Sequence, residues 1–113
     1  MTGLPAPLHI APIFAALGDP YRLSIVARLC EHGPLPTTRL REGSEAVTRQ
    51  GFTKHLQVLE QAGLLESHRI GRHRQWQLRR ERIGQMCDYL RLVSVQWEVR
   101  LERLKALVEE PDG

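Results

Sequence analysis

Between Thr48 and Leu65 the chain reads T-R-Q-G-F-T-K-H-L-Q-V-L-E-Q-A-G-L-L, which gathers Arg49, Gln50, Thr53, Lys54, His55 and Gln57 with no acid among them until Glu60. Arginine and glutamine can grip a base edge with two hydrogen bonds, and lysine, threonine and histidine reach bases or phosphate oxygens. The chemistry on offer is recognition of a polyanion. Bond-making chemistry is poorly supplied. Ser24, Ser44, Ser67 and Ser94 have no patterned acid or base beside them, and no glycine-rich phosphate loop occurs. The sequence therefore points away from an enzyme and implies no cofactor. His9, His32, His55, His68 and His73 are scattered, and Cys30 and Cys87 lie far apart in the chain. Metal ligands need convergent imidazole or thiolate groups, so no metal site is expected. Both cysteines read as small buried hydrophobes: Cys30 follows Val26 and Leu29 at core spacing, and Cys87 sits beside Met86.

The donors need an element to hold them, and the same stretch supplies it. Phe52, Leu56, Leu59 and Ala62 step by four, three and three residues, the period of a helix. Gly63 stands where a helix C-terminus favours a left-handed residue. Either Ser44 or Thr48 can cap the start. Upstream, residues 1–9 contain Pro5 and Pro7 and read as a flexible arm, followed by a helix from His9 or Ile10 to Leu17. Asp19-Pro20 reads as an N-cap with proline at the first helical position, opening a second helix with Leu23, Ile25, Val26, Leu29 and Cys30 that stops near His32-Gly33. Pro34 and Pro36 mark a tight connection. Thr37 or Thr38 then caps a very short third helix holding Leu40. A short helix, a turn and a longer helix have helix-turn-helix spacing.

After Gly63 the period changes. Two short strands flank Gly71-Arg72, with Ile70, Trp76 and Leu78 as the apolar members, which is a hairpin pattern. From His68 to Arg82 there are six arginines and one acid, Glu81. Basic edges discourage sheet aggregation, but this density favours contact with nucleic acid. A last helix runs from about Arg79 to Glu110, striped by Ile83, Met86/Cys87, Leu90, Val93, Trp97, Leu101, Leu104 and Leu107/Val108. At 1.5 Å per residue it would be roughly 45 Å long. One small domain cannot cover such a stripe, and a second copy can, which predicts a homodimer joined through this helix and the first one.

Composition agrees. The 113 residues are one domain's worth, and the net charge of +3 comes from 14 Arg and 2 Lys against 13 acids. No apolar run reaches the length of a membrane span, and the N-terminus lacks the basic and apolar regions of a secretory signal, so a cytoplasmic location without membrane contact is expected.

Three stretches, A-L-G-D-P-Y-R-L-S-I-V at 16–26, F-T-K-H-L-Q-V-L-E-Q-A-G-L-L at 52–65 and R-I-G-R-H-R-Q-W-Q-L at 69–78, resemble the ArsR/SmtB (arsenic-repressor-type) family of winged helix-turn-helix regulators. The tail at 95–110 resembles a branch of that family without the usual metal sites. The resemblance implies a mainly α fold with a small β-hairpin wing, in the order α-α-α-α-β-β-α. It implies a winged helix-turn-helix domain at 10–80 and a dimerisation helix at 81–110. The implied function is a dimeric repressor on a palindromic operator of double-stranded DNA, with a recognition helix at about 48–61 and a wing at about 66–78. Carried onto this sequence, the DNA-binding residues are Arg49, Gln50, Thr53, Lys54 and His55 in the helix and Arg69, Arg72 and Arg74 in the wing. The family's C-x-C metal segment is replaced here by P-T-T-R-L-R-E-G, and the last helix has Asp88 but no histidine. Some relatives sense thiol oxidants through a cysteine pair on these same two helices, which keeps open a thiol- or persulfide-responsive repressor switched by Cys30 and Cys87. A reading from another class is a winged helix that binds proteins and reads no DNA. The effector is not identified by the sequence.

Overall fold

The structure is a computed structural model that describes residues 7–109. Helix α1 spans Pro7–Leu17 and α2 spans Pro20–His32. A two-residue strand β1, Leu35–Pro36, precedes the short helix α3, Thr37–Leu40. Helix α4, Arg49–Gln61, is followed by strands β2, Leu65–Ile70, and β3, His73–Leu78. The long helix α5, Arg80–Glu109, ends the described chain. The expected flexible arm at 1–9 overlaps the start of α1. Residues 7–9 belong to α1, since proline is tolerated in a first helical turn, while residues 1–6 lie outside the described part.

Local chemistry accounts for the element ends. Asp19 takes an extended conformation and its Oδ1 accepts from the backbone N–H of Tyr21 at 2.8 Å and of Arg22 at 3.2 Å, with Pro20 opening α2. At the other end Gly33 adopts φ 77° and its N–H donates to the Leu29 carbonyl at 3.0 Å. The sheet has three antiparallel strands in the order β1-β3-β2, one more than the expected hairpin. Leu35 pairs with Trp76 and Pro36 with Gln75, so the proline-flanked segment is an edge strand and not merely a connection.

The core draws on every part of the domain. Ile10, Ile13 and Ala16 come from α1, Ile25, Val26 and Leu29 from α2, and Leu40 from α3. Phe52, Leu56 and Leu59 come from α4, and Leu35, Leu64, Leu65 and Trp76 from the sheet and its approach. Trp76 keeps its indole N–H satisfied by donating to Thr37 Oγ1 at 2.9 Å. Leu23, also on α2, is 53 % exposed. Cys30 is also exposed, on an open cleft that it lines with Gly33, Arg80 and Ile83. Cys87 is half-buried, and both thiols are free.

Helix α5 behaves differently along its length. Its first turns place Ile83, Met86 and Tyr89 against the core, and Tyr89 meets Phe14 of α1 with ring centroids 6.0 Å apart. Beyond Leu90 the helix leaves the domain. Trp97, Leu101, Leu104 and Val108 are all more than half exposed. The radius of gyration is 19.0 Å, against about 13 Å for a compact domain of this size. Among the described residues no single helix is long and apolar enough to cross a membrane.

Candidate nucleic-acid interface

The start of α4 fixes how its side chains fan out. Of the two candidate caps, Thr48 performs the role: its Oγ1 accepts from the Gly51 N–H at 3.0 Å. A Cβ at Gly51 would lie 3.1 Å from both Thr48 Oγ1 and Val47 Cγ1, so the absence of a side chain there lets the cap close. At the far end Ala62 is followed by Gly63 at φ 81°. The Gly63 N–H donates to the Glu60 carbonyl and the Leu64 N–H to the Leu59 carbonyl, each at 3.0 Å, which is a Schellman closure.

With Phe52, Leu56 and Leu59 buried, the opposite side of α4 presents Arg49, Gln50, Thr53, Lys54 and Gln57 to solvent. The Thr53 hydroxyl donates to the Arg49 carbonyl at 3.0 Å and keeps its oxygen free to accept. No acid lies in the first turn, so the positive end of the helix dipole adds to these donors. The two acids of the preceding loop are engaged nearby. Glu42 lies 3.5 Å from Arg39 and 3.8 Å from Arg28, and Glu45 accepts from the Gly43 N–H at 3.1 Å.

His55 does not share that face. It is half-buried against the start of α2, with Nδ1 3.1 Å from Arg22 Nη1 and 3.9 Å from Asp19 Oδ1. Its ring stacks on Tyr21 with centroids 5.8 Å apart and planes 24° apart. His55, expected to contact DNA, is engaged here as a tie between α2 and α4. No local signal marks this tie in the sequence, because its partners lie more than thirty residues upstream.

The same cluster predicts a pH effect. Burial acts to raise the Asp19 pKa, but the backbone N–H groups of Arg22 and Tyr21 and the charges of His55 and Arg22 outweigh it and hold the carboxyl below its usual range. A depressed carboxylate pKa stabilises the fold above the unfolded value, and that contribution disappears as pH falls through the folded value. Asp19→Asn is expected to melt earlier than the parent at neutral pH, with the gap closing below about pH 4. Parallel melting curves down to strong acid would refute this assignment.

In the wing, Gly71 takes φ 62° at the first position of a two-residue turn, a position that suits glycine. Arg69 and Arg74 stand directly opposite each other, a like-charge pair that is unfavourable until an anion lies near it. Arg74 Nη1 donates to Ser67 Oγ at 2.7 Å, and Ser67 Oγ donates to Glu60 Oε2 of α4 at 3.4 Å, which ties the wing to the end of α4. Arg69 and Arg72 are exposed. The arginines that follow divide their roles: Arg79 lies 4.0 Å from Glu66, while Arg82 folds over Gly63. Among the described residues no group of three or more His, Cys, Asp or Glu is placed to hold a metal ion.

A buried-backed helix with a donor-rich front, preceded by a short helix and followed by a basic hairpin, is a winged helix-turn-helix domain. Comparison with known proteins places it more closely. A family described as "Helix-turn-helix domain" matches residues 17–68. The HTH-type transcriptional regulator YuzN of Bacillus subtilis, itself uncharacterised, is 45% identical over 67 residues, covering 55% of this chain and 73% of that protein. The solved structure of an ArsR-like transcriptional regulator from Rhodococcus sp. RHA1 is 28% identical with a TM-score of 0.69, covering 92% of this chain and 96% of that one. The fold is shared with Mb0332 of Mycobacterium bovis, a homodimeric winged helix-turn-helix DNA-binding domain solved in solution, at 21% identity and a TM-score of 0.58 over 91% and 95% of the two chains. The chain belongs to the ArsR-type winged helix-turn-helix transcriptional regulators.

Proposed function

We propose that the protein binds a palindromic operator as a symmetric homodimer and represses transcription by occupying it. In this reading α4 enters the major groove and the wing lies along the flanking backbone. Residues 10–80 form the DNA-binding unit, and the segment from 81 onward carries the dimer contact. The observation that carries the reading is the face of α4 that exposes Arg49, Gln50, Thr53 and Lys54 while Phe52, Leu56 and Leu59 anchor the other side. Arg49 and Gln50, in the first turn, read base edges. Thr53 and Lys54 divide between bases and phosphates. Arg69, Arg72 and Arg74 neutralise phosphates or enter the minor groove.

The dimer is supported by the apolar stripe left uncovered on α5 and by the homodimeric state of the Mycobacterium bovis domain that shares the fold. A two-fold dimer presents two α4 helices to two half-sites, which makes the operator palindromic. A dimer seated on a promoter excludes the polymerase, which makes repression the expected sign.

The test compares two substitutions on a selected operator. Arg49→Ala is expected to cost about 1–3 kcal/mol of operator binding and to relax specificity at one base position. Arg72→Ala should weaken all duplexes alike and lower the salt slope by about one. Unchanged operator affinity in Arg49→Ala would rule out the assignment of that face.

A further inference from the structure

We infer that Arg82 is a positioning residue that fixes the angle between α5 and the recognition helix, and thereby the spacing of half-sites the dimer accepts. The inference rests on the dimeric operator-binding reading above. Two links join the end of α4 to the start of α5. One is a backbone hydrogen bond from the Arg79 N–H to the Leu64 carbonyl at 2.9 Å, immediately after the Gly63 closure of α4. The other is the Arg82 side chain. A Cβ at Gly63 would lie 3.1 Å from Arg82 Nε, 3.4 Å from Cγ and 3.7 Å from Cδ, so the side chain lies flat on the glycine. Its Nη1 is 3.4 Å from both the His9 carbonyl, which brings in α1, and Gln85 Oε1.

The backbone bond and the packing of Ile83, Met86 and Tyr89 on the core seat the start of α5, and small tilts about that seat remain. Arg82 is the stop. Its guanidinium sits at the negative end of the α4 dipole, where a cation is favoured, and its stem packs where only glycine leaves room. With α5 held in the dimer that seat stays fixed, and the first turn of α4 lies about 20 Å along that helix from Gly63. A tilt of ~5° over that arm displaces each recognition helix by ~2 Å, so the pair shifts by ~4 Å, close to one base-pair step. An arginine that touches no DNA would in this way select operator geometry. The same cleft is lined by Glu60, Arg79, Glu81 and Asp88, which places competing charges within reach of a displaced Arg82.

The experiment first selects an operator from a random duplex pool with the full-length protein, then varies the half-site spacer by one base pair in each direction. The parent protein is expected to discriminate by about tenfold or more, and Arg82→Met by less than about threefold, with its salt slope unchanged. Gln85→Leu, which removes one partner of the guanidinium and leaves Gly63 covered, should show a smaller loss in the same direction and serves if Arg82→Met fails to fold. Full spacer discrimination in both variants overturns the inference. So does a salt slope reduced by about one in Arg82→Met, which would mark Arg82 as a phosphate contact. If the parent itself selects single half-sites with no preferred spacing, the dimeric-operator reading fails, a result separable from failure of the Arg82 variants alone.

Discussion

Glutamates substituted at Leu101 and Leu104 together are expected to convert the protein to monomers and to lower operator affinity by about 10²–10⁴-fold. Both side chains are about half exposed on the free half of α5, at 54 % and 51 %. In a symmetric pair each is covered twice, and fully burying a leucine contributes about 1.5–3 kcal/mol relative to leaving it in water. The substitutions replace that gain with four carboxylates that must be desolvated beside one another. Linking two half-site contacts raises effective affinity by about 10²–10⁴ without any new contact, and this is the factor the monomer forfeits. Sedimentation would report the mass and mobility shift the affinity, while single half-site binding should stay near the parent value. A double variant that remains dimeric would place the interface elsewhere. The contrast with the domain interior is useful, because neither residue belongs to the core and circular dichroism should show an intact wing and helix-turn-helix.

The second large effect belongs to the hidden side of α4. Phe52 is 1 % exposed and lies among core residues drawn from α1, α2, α3 and the sheet. Truncation to alanine forfeits the transfer energy of the ring and leaves a cavity, typically about 3–5 kcal/mol. Total stability for a domain of this size is about 5–15 kcal/mol, so Phe52→Ala should melt roughly 10–25 °C below the parent. Val58, 37 % exposed on the same helix, is the control, and Val58→Ala should cost under about 1 kcal/mol. Melting must be compared at equal protomer concentration, because the proposed association with a second copy would stabilise the folded form. Near-equal melting temperatures for the two variants would show that α4 does not pack as described.

Helix α4 was readable because its information is local. Three buried side chains at helical spacing, a threonine cap and a glycine stop all fall within a span of about four turns, and the fold preserves each of them. The misplaced features depend on distant partners. Leu35 is a strand residue only because Trp76 lies beside it, and two residues between prolines carry no period of their own. His55 lies at the border of the apolar stripe, where spacing cannot decide between solvent and neighbour; Tyr21 and Arg22 decide it. Cys30 shows the reverse error. Its spacing after Val26 suits a core position, but it lines an open cleft with Gly33 and with Arg80 and Ile83 of α5, so the thiol is left exposed. Arg82 was visible only as one more charge in a basic run. Its packing on Gly63 needed the chain to double back through the wing.

The small sheet has a bearing on what the protein does at high local concentration, as when many copies crowd one DNA segment. Its outermost strand on one side is β1, two residues long, and one of the two is a proline with no N–H to donate. On the other side β2 is outermost, and Glu66, His68 and Arg69 interrupt it with charged or ionisable side chains. Strand addition from another molecule therefore finds no long, flat, neutral template. The exposed apolar stripe of the described chain is helical, so crowding finds no template for open-ended β-stacking.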